Sequence, residues 1–112
     1  MSFEKRLNAD SLRAVGATVR RPAYDRSQLA IGIVHLGLGA FQRAHQACYT
    51  EPVVAAGDRR WGIAGVSLRD ATLVNTLAEQ DLLYSVTERH GDRASTQVLG
   101  VLREALFAPR QL

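Results

Sequence analysis

The sequence predicts an α/β fold, a parallel sheet whose strands are joined by helical crossovers. Three observations carry this. Residues 30–36 ("AIGIVHL") and 61–68 ("WGIAGVSL") are apolar runs with no polar alternation, as strands covered on both faces have. A helical pattern follows each run. A glycine pair, Gly37 and Gly39, stands at the first passage from strand to helix.

The elements follow in order. Residues 1–29 read as a polar arm, in which Asn8 or Asp10 caps a short helix through about Val15 that Gly16 ends. "RRPAYDRSQ" is turn-rich, and Pro22 bars a helix there. The strand over 30–36 stops at Gly37-Leu38-Gly39, and a helix is expected over 41–56, closed by Gly57-Asp58. Pro52 lies inside that helix and predicts a kink or an early stop, because proline in a straight helix costs about 3 kcal/mol. The second strand spans 61–68, and Asp70 caps a helix over 71–80. A third strand is expected over 82–89, then a turn at His90-Gly91-Asp92, then a fourth strand over 95–106 that frays toward Pro109. The order β-α-β-α-β plus a hairpin calls for parallel strands with right-handed crossovers, so residues 30–112 form one partial domain behind the 1–29 arm.

Composition narrows the function. A chain of 112 residues suits one domain. The net charge of +3 is mild, the basic residues are scattered, and Lys5 is the sole lysine among 14 basic side chains. No basic run with interleaved aromatics marks a nucleic-acid surface. No apolar run is long enough to cross a bilayer. The single cysteine, Cys48, allows no internal disulfide and fits a reducing cytoplasm. The three histidines, His35, His45 and His90, have no metal-ligand spacing, so no metal site is expected.

A strand that turns directly into a helix aims free N–H groups at the space beyond the sheet edge, where they and the helix dipole favour an anion. Gly37 permits the tight turn, and Gly39, without a Cβ, lets a phosphate approach the backbone. That is the logic of a dinucleotide-binding turn, with Gly37, Leu38, Gly39, Ala40 and Phe41 as its backbone. The pattern is incomplete, since the usual third glycine is replaced by Gln42, and a tight turn without ligand stays open as an alternative. Arg43, in the first helical turn, has the fork geometry to hold a diphosphate, or is a solvated arginine. Beyond the second strand an acid takes the adenosine ribose hydroxyls, whereas an arginine accommodates a 2′-phosphate. Here Arg69 and Asp70 stand side by side, and Asp70 also suits a helix cap. NAD is favoured through Asp70, with NADP kept open by Arg69. His35 reads as a packed or capping residue, and His45 and Cys48 are assigned no chemistry.

Three stretches, "IVHLGLGAFQRAHQACYT", "WGIAGVSLRD" and "LAEQDLLYSVTER", together resemble the N-terminal Rossmann domain of the mannitol dehydrogenase family of polyol-specific dehydrogenases and reductases. His35, Gly37, Gly39, Phe41, Arg43 and His45 match the family's His-x-Gly-x-Gly-x-Phe-x-Arg-x-His pattern. The position of Gln42 is commonly histidine in the family, and Pro52 departs from it. The resemblance implies a Rossmann-type domain holding NAD(P), within enzymes that oxidise a secondary alcohol of a sugar alcohol or reduce the matching ketose or hexuronate. It also implies a zinc-independent mechanism whose Lys-x-x-x-x-Asn-x-x-His residues belong to a helical C-terminal domain that this chain lacks. No residue here is therefore expected to be catalytic, and the missing substrate domain is the expected partner. Two other readings stay open: a non-catalytic nucleotide-binding module, and a truncated remnant.

Overall fold

The apolar runs at either side of the first helical region become neighbouring parallel strands. A computed structural model describes residues 7–111, without the side chains of Phe41 and Gln111, so Lys5 lies outside it. The elements are β1 (Ile31–Leu36), α1 (Ala40–Ala44), α2 (Gln46–Ala55), β2 (Gly62–Ser67), α3 (Ala71–Glu79), β3 (Tyr84–His90), β4 (Arg93–Leu99), β5 (Leu102–Phe107) and α4 (Ala108–Gln111). Short 3-10 turns at Leu12–Ala14 and Arg26–Gln28 precede them. The class is the expected one: a three-stranded parallel sheet of order β1-β2-β5 with helical crossovers.

The third parallel strand is not the expected one. It is β5, while β3 and β4 form a separate antiparallel hairpin. The run over 95–106 is two strands, parted at Gly100-Val101, and its second half enters the main sheet. The period-two alternation over 82–89 marks one covered face, which a two-stranded ribbon has and a parallel strand between helices does not. The hairpin turn is as expected: Gly91, at φ 60°, opens a two-residue loop between paired His90 and Arg93.

Three local expectations are corrected. The arm helix shrinks to Leu12–Ala14; Asn8 accepts from the Ser11 amide (2.8 Å) and bends the chain before it. The helix over 41–56 breaks at His45, between α1 and α2, rather than at Pro52. Pro52 removes only the donor for the Cys48 carbonyl, and the next turn is intact, with the Ala56 amide bonded to the Pro52 carbonyl at 2.9 Å. Gly57 then ends α2 at φ 127°, its amide on the Val54 carbonyl and that of Asp58 on Val53, the paired bonds of a Schellman stop. Finally, β1 is not covered on both faces: Val34 and Leu36 are 67% and 69% exposed, because among the described residues no helix packs closely over their face of this end strand. The central strand β2 is buried throughout.

The core joins Ile63 of β2 and Leu102 of β5 to Val54 of α2, Leu77 of α3 and Leu99 of β4. A buried carboxylate ties its layers together. Glu51 of α2, 7% exposed, accepts from the Gly100 and Val101 amides at 2.7 and 3.2 Å and from the Tyr24 hydroxyl at 2.5 Å. These are the amides of the β4–β5 link, which no ladder satisfies. Arg26 donates to the Gly100 and Leu102 carbonyls from the other side (3.0 and 3.1 Å). Burial and the Glu51 carboxylate push the Tyr24 phenol well above its ordinary pKa, so it remains a donor. A Cβ on Gly100 would come within 2.7 Å of the Pro22 ring, so glycine is needed for the arm to close over the link.

Glu51→Ala leaves two buried amides without an acceptor and is expected to cost about 3 kcal/mol. Tyr24→Phe keeps the ring and is expected to cost about 1 kcal/mol. Urea denaturation of the three proteins measures both values.

Candidate dinucleotide site

The site begins where β1 ends. Gly37 takes φ 101°, a left-handed conformation that side chains resist. Its amide and that of Leu38 both donate to the Val66 carbonyl of β2, at 2.8 and 3.2 Å. His35 Nδ1 donates to the Gly37 carbonyl at 3.1 Å, which makes His35 a brace of the turn. Leu38 turns inward, 3% exposed, and its side chain lies over Gly65, where an added Cβ would meet Leu38 Cδ1 at 2.5 Å. The chain is thus pinned to β2 before it enters α1.

This pinning revises the expected anion site in one respect. The Gly37 and Leu38 amides are already committed to Val66, so they do not face a ligand. The free donors begin at Gly39 and Ala40, because the first amides of a helix have no intrahelical acceptor. Both residues are exposed, and a Cβ on Gly39 would meet nothing within 4 Å. The space that Gly39 leaves is open to solvent rather than filled by protein. Phe41 sits on α1, but its side chain lies outside the described part.

The end of β2 supplies the opposite wall. Ser67 Oγ donates to the Asp70 carbonyl (3.0 Å) and accepts from the Asp70 amide (3.1 Å), which sets the turn into α3. Asp70 caps α3, its Oδ1 accepting from the Leu73 amide at 3.1 Å. Arg69 is exposed beside it. Gly37, Leu38, Gly39, Ala40, Arg43, Arg69 and Asp70 all border one cavity of about 580 Å³, together with Ser67, Leu68 and Leu73. Seven of the eight residues expected at the site therefore meet in one place. The cavity opens at the carboxyl ends of parallel strands, where α/β sheets take their ligands.

Arg43 is held from behind. The Tyr84 hydroxyl donates to the Arg43 carbonyl at 3.0 Å, and the guanidinium carbon lies 6.0 Å from the Tyr84 ring centre. Burial pushes the Tyr84 phenol above its ordinary pKa, so it too stays protonated. Arg43 Nε is buried without a hydrogen-bond partner, as is Gln42 Oε1. Gln42 donates to Gln46 across the break between α1 and α2 and does not border the cavity. Ser67 and Tyr84 were not singled out by sequence. The signal for Ser67 was a hydroxyl three residues before a capping Asp; Tyr84 carried none, since its role depends on where the hairpin folds.

The sheet order, the crossovers and the cavity at the strand ends define the first half of a dinucleotide-binding fold. Residues 31–109 match the mannitol dehydrogenase Rossmann domain. The chain belongs to the mannitol dehydrogenase family. It is 44% identical over 91 residues to D-mannonate oxidoreductase of Escherichia coli K12, a match covering 79% of this chain and 19% of that protein. It is 40% identical over 116 residues to mannitol 2-dehydrogenase of Pyricularia oryzae, covering 97% and 23%. The structure of Pseudomonas fluorescens mannitol 2-dehydrogenase, a ternary complex with NAD and D-mannitol, superposes with a TM-score of 0.89 at 35% identity, covering 95% of this chain and 22% of that one. The chain spans about a fifth of the length of these relatives, matching their N-terminal part. Among the described residues no helix is long and apolar enough to cross a membrane, and no cluster of metal-binding side chains is present.

The two roles available to Asp70 are separable. Asp70→Ala removes the cap and is expected to cost about 1 kcal/mol, whereas Asp70→Ser keeps a capping oxygen and is expected to leave stability within a few tenths of wild type. Thermal melts of both variants report the difference.

Proposed function

We propose that this chain is the NAD-binding portion of an oxidoreductase that acts on the CH–OH group of a sugar alcohol or hexuronate. The observation that carries the reading is the single cavity into which the glycine turn, Arg43 and the Arg69–Asp70 pair all open. The bared space at Gly39 and the unpartnered Nε of Arg43 suit a diphosphate. In this reading the Gly39, Ala40 and Phe41 amides and the Arg43 guanidinium hold the pyrophosphate. Asp70 keeps Oδ2 free beside its capping Oδ1, and that oxygen accepts from the adenosine ribose hydroxyls. This favours NAD, while Arg69 leaves tolerance for a 2′-phosphate. Residues 30–112 are read as the partial cofactor domain and residues 1–29 as its N-terminal arm, whose described part is bonded to it through Arg20, Tyr24 and Arg26. A cytoplasmic setting fits the reading.

The bound cofactor supplies the hydride chemistry, and the protein supplies orientation and a base for the hydroxyl proton. The charged side chains bordering the cavity are Arg43, Arg69 and Asp70, and none suits that base: a guanidinium offers donors and no acceptor, and Asp70 caps α3. Asp81 and Glu88 border other cavities. The base and the substrate pocket belong, in this reading, to a helical partner domain. The 112-residue chain therefore binds cofactor weakly and does not turn over polyols or hexuronates.

In Gly39→Val the added Cβ meets no protein atom within 4 Å, so stability falls by no more than the about 1 kcal/mol of a poorer helix cap, while affinity for NAD falls at least tenfold, about 1.4 kcal/mol. Titration followed by calorimetry tests this; equal affinity of Gly39→Val and wild type contradicts the proposal. Asp70→Ser is expected to shift the NADP/NAD affinity ratio upward, measured in the same titrations. A dehydrogenase assay with polyols, hexuronates and both cofactors is expected to match its blank.

A further inference from the structure

We propose that Tyr84 is a positioning residue for the cofactor: it holds Arg43 from the hairpin, so that the guanidinium already stands at the cavity when a diphosphate arrives. The inference rests on the diphosphate role proposed for Arg43 and adds to it a residue outside the cavity. Tyr84 opens β3, is 6% exposed, and does not border the cavity itself. It reaches Arg43 at two points. Its hydroxyl donates to the Arg43 carbonyl at 3.0 Å, and its ring centre lies 6.0 Å from the guanidinium carbon.

Both contacts fall where Arg43 needs them. α1 is five residues long and breaks at His45. A helix leaves its last carbonyls short of amide donors, and the Tyr84 hydroxyl bonds the carbonyl of Arg43. At the far end of the side chain, among the described residues no carboxylate is paired with the guanidinium. Its Nε is buried and makes no hydrogen bond. Arg60, by contrast, is neutralised by Asp58 at 2.8 Å. Arg43 is thus a cation left for an anion to meet, steadied meanwhile by an aromatic ring.

An arginine side chain loses much rotamer freedom when a ligand fixes it. Fixing it beforehand removes that loss from the binding step. Tyr84 is suited to this because it is itself fixed. It pairs with Leu99 across the hairpin and belongs to the core that contains Leu38 and Ala47, residues on either side of α1 in the chain. A Tyr84 that served the core alone would act on NAD affinity whether or not residue 43 carried a guanidinium. A positioning Tyr84 acts only through that guanidinium.

The test is a set of NAD titrations, followed by amide chemical shifts, of the wild-type chain, Tyr84→Phe, Arg43→Met and the double variant. Tyr84→Phe is expected to weaken NAD about fivefold when Arg43 is present, the size of one net hydrogen bond, and less than about twofold in the Arg43→Met background. A second measurement stands whether or not a variant folds: in the wild-type chain the Arg43 Nε–H is expected to exchange with solvent at least tenfold more slowly than that of exposed Arg69. A Tyr84→Phe chain that binds NAD like wild type, equal weakening in both backgrounds, or an Arg43 Nε–H that exchanges as fast as that of Arg69 each overturns the proposal. A wild-type chain that binds no NAD overturns the dinucleotide reading itself, and this proposal with it.

Discussion

One carbonyl organises the candidate site. Val66 O receives both the Gly37 and the Leu38 amides, and so fixes where β1 ends relative to the end of β2. That pair of hydrogen bonds holds the two strand ends side by side, where they border a common space. Leu38 reinforces it by lying over Gly65, a fit that only a glycine on the central strand permits. The helix starts at Ala40, one residue earlier than the sequence pattern predicts, and the donors left free by the pinning, those of Gly39 and Ala40, fall at the mouth of the cavity. A geometric constraint between two strands thus becomes a chemical one, because it sets which amides remain for an anion.

The same molecule spends much of its polar chemistry on holding the arm and the hairpin in place. Glu51, Tyr24, Arg26 and the Gly100-Val101 amides form a buried network linking α2, the arm and the β4–β5 link. The link carries the chain from the hairpin into the parallel sheet; its Val101 carbonyl accepts from the Ile63 amide of β2, but its two amides have no strand partner and bond to Glu51. The hairpin in turn places Tyr84 behind Arg43. The arrangement of Arg43 therefore depends on an antiparallel element outside the sheet that forms the cavity.

The parts legible in the sequence were those set by local chemistry. The Gly37 turn, the Asp70 cap, the Gly57 stop and the Gly91 hairpin each rest on a backbone conformation or a capping bond a few residues long. Burial was legible for β2, whose apolar run is central, and misleading for β1, whose similar run lies at the sheet's end. A run of apolar residues shows what a strand prefers to contact, and the neighbours that satisfy it are set elsewhere. The third strand was hidden because Gly100 splits one apolar stretch between two sheets, and the reason for that glycine is Pro22, far away in sequence. The commitment of the Leu38 amide could not be read for the same reason: its acceptor is on another strand.

The central claim is that an anion-binding mouth lies at Gly39 and Ala40, opposite Arg69 and Asp70. Amide chemical shifts of the isotopically labelled chain, followed while NAD is added, test it most directly. The account predicts saturable shifts at Gly39, Ala40, Arg43, Arg69 and Asp70, with far smaller ones along β3 and β4. No saturable shift, or shifts confined to the cavity between α2 and the hairpin near Cys48 and Glu88, would contradict it.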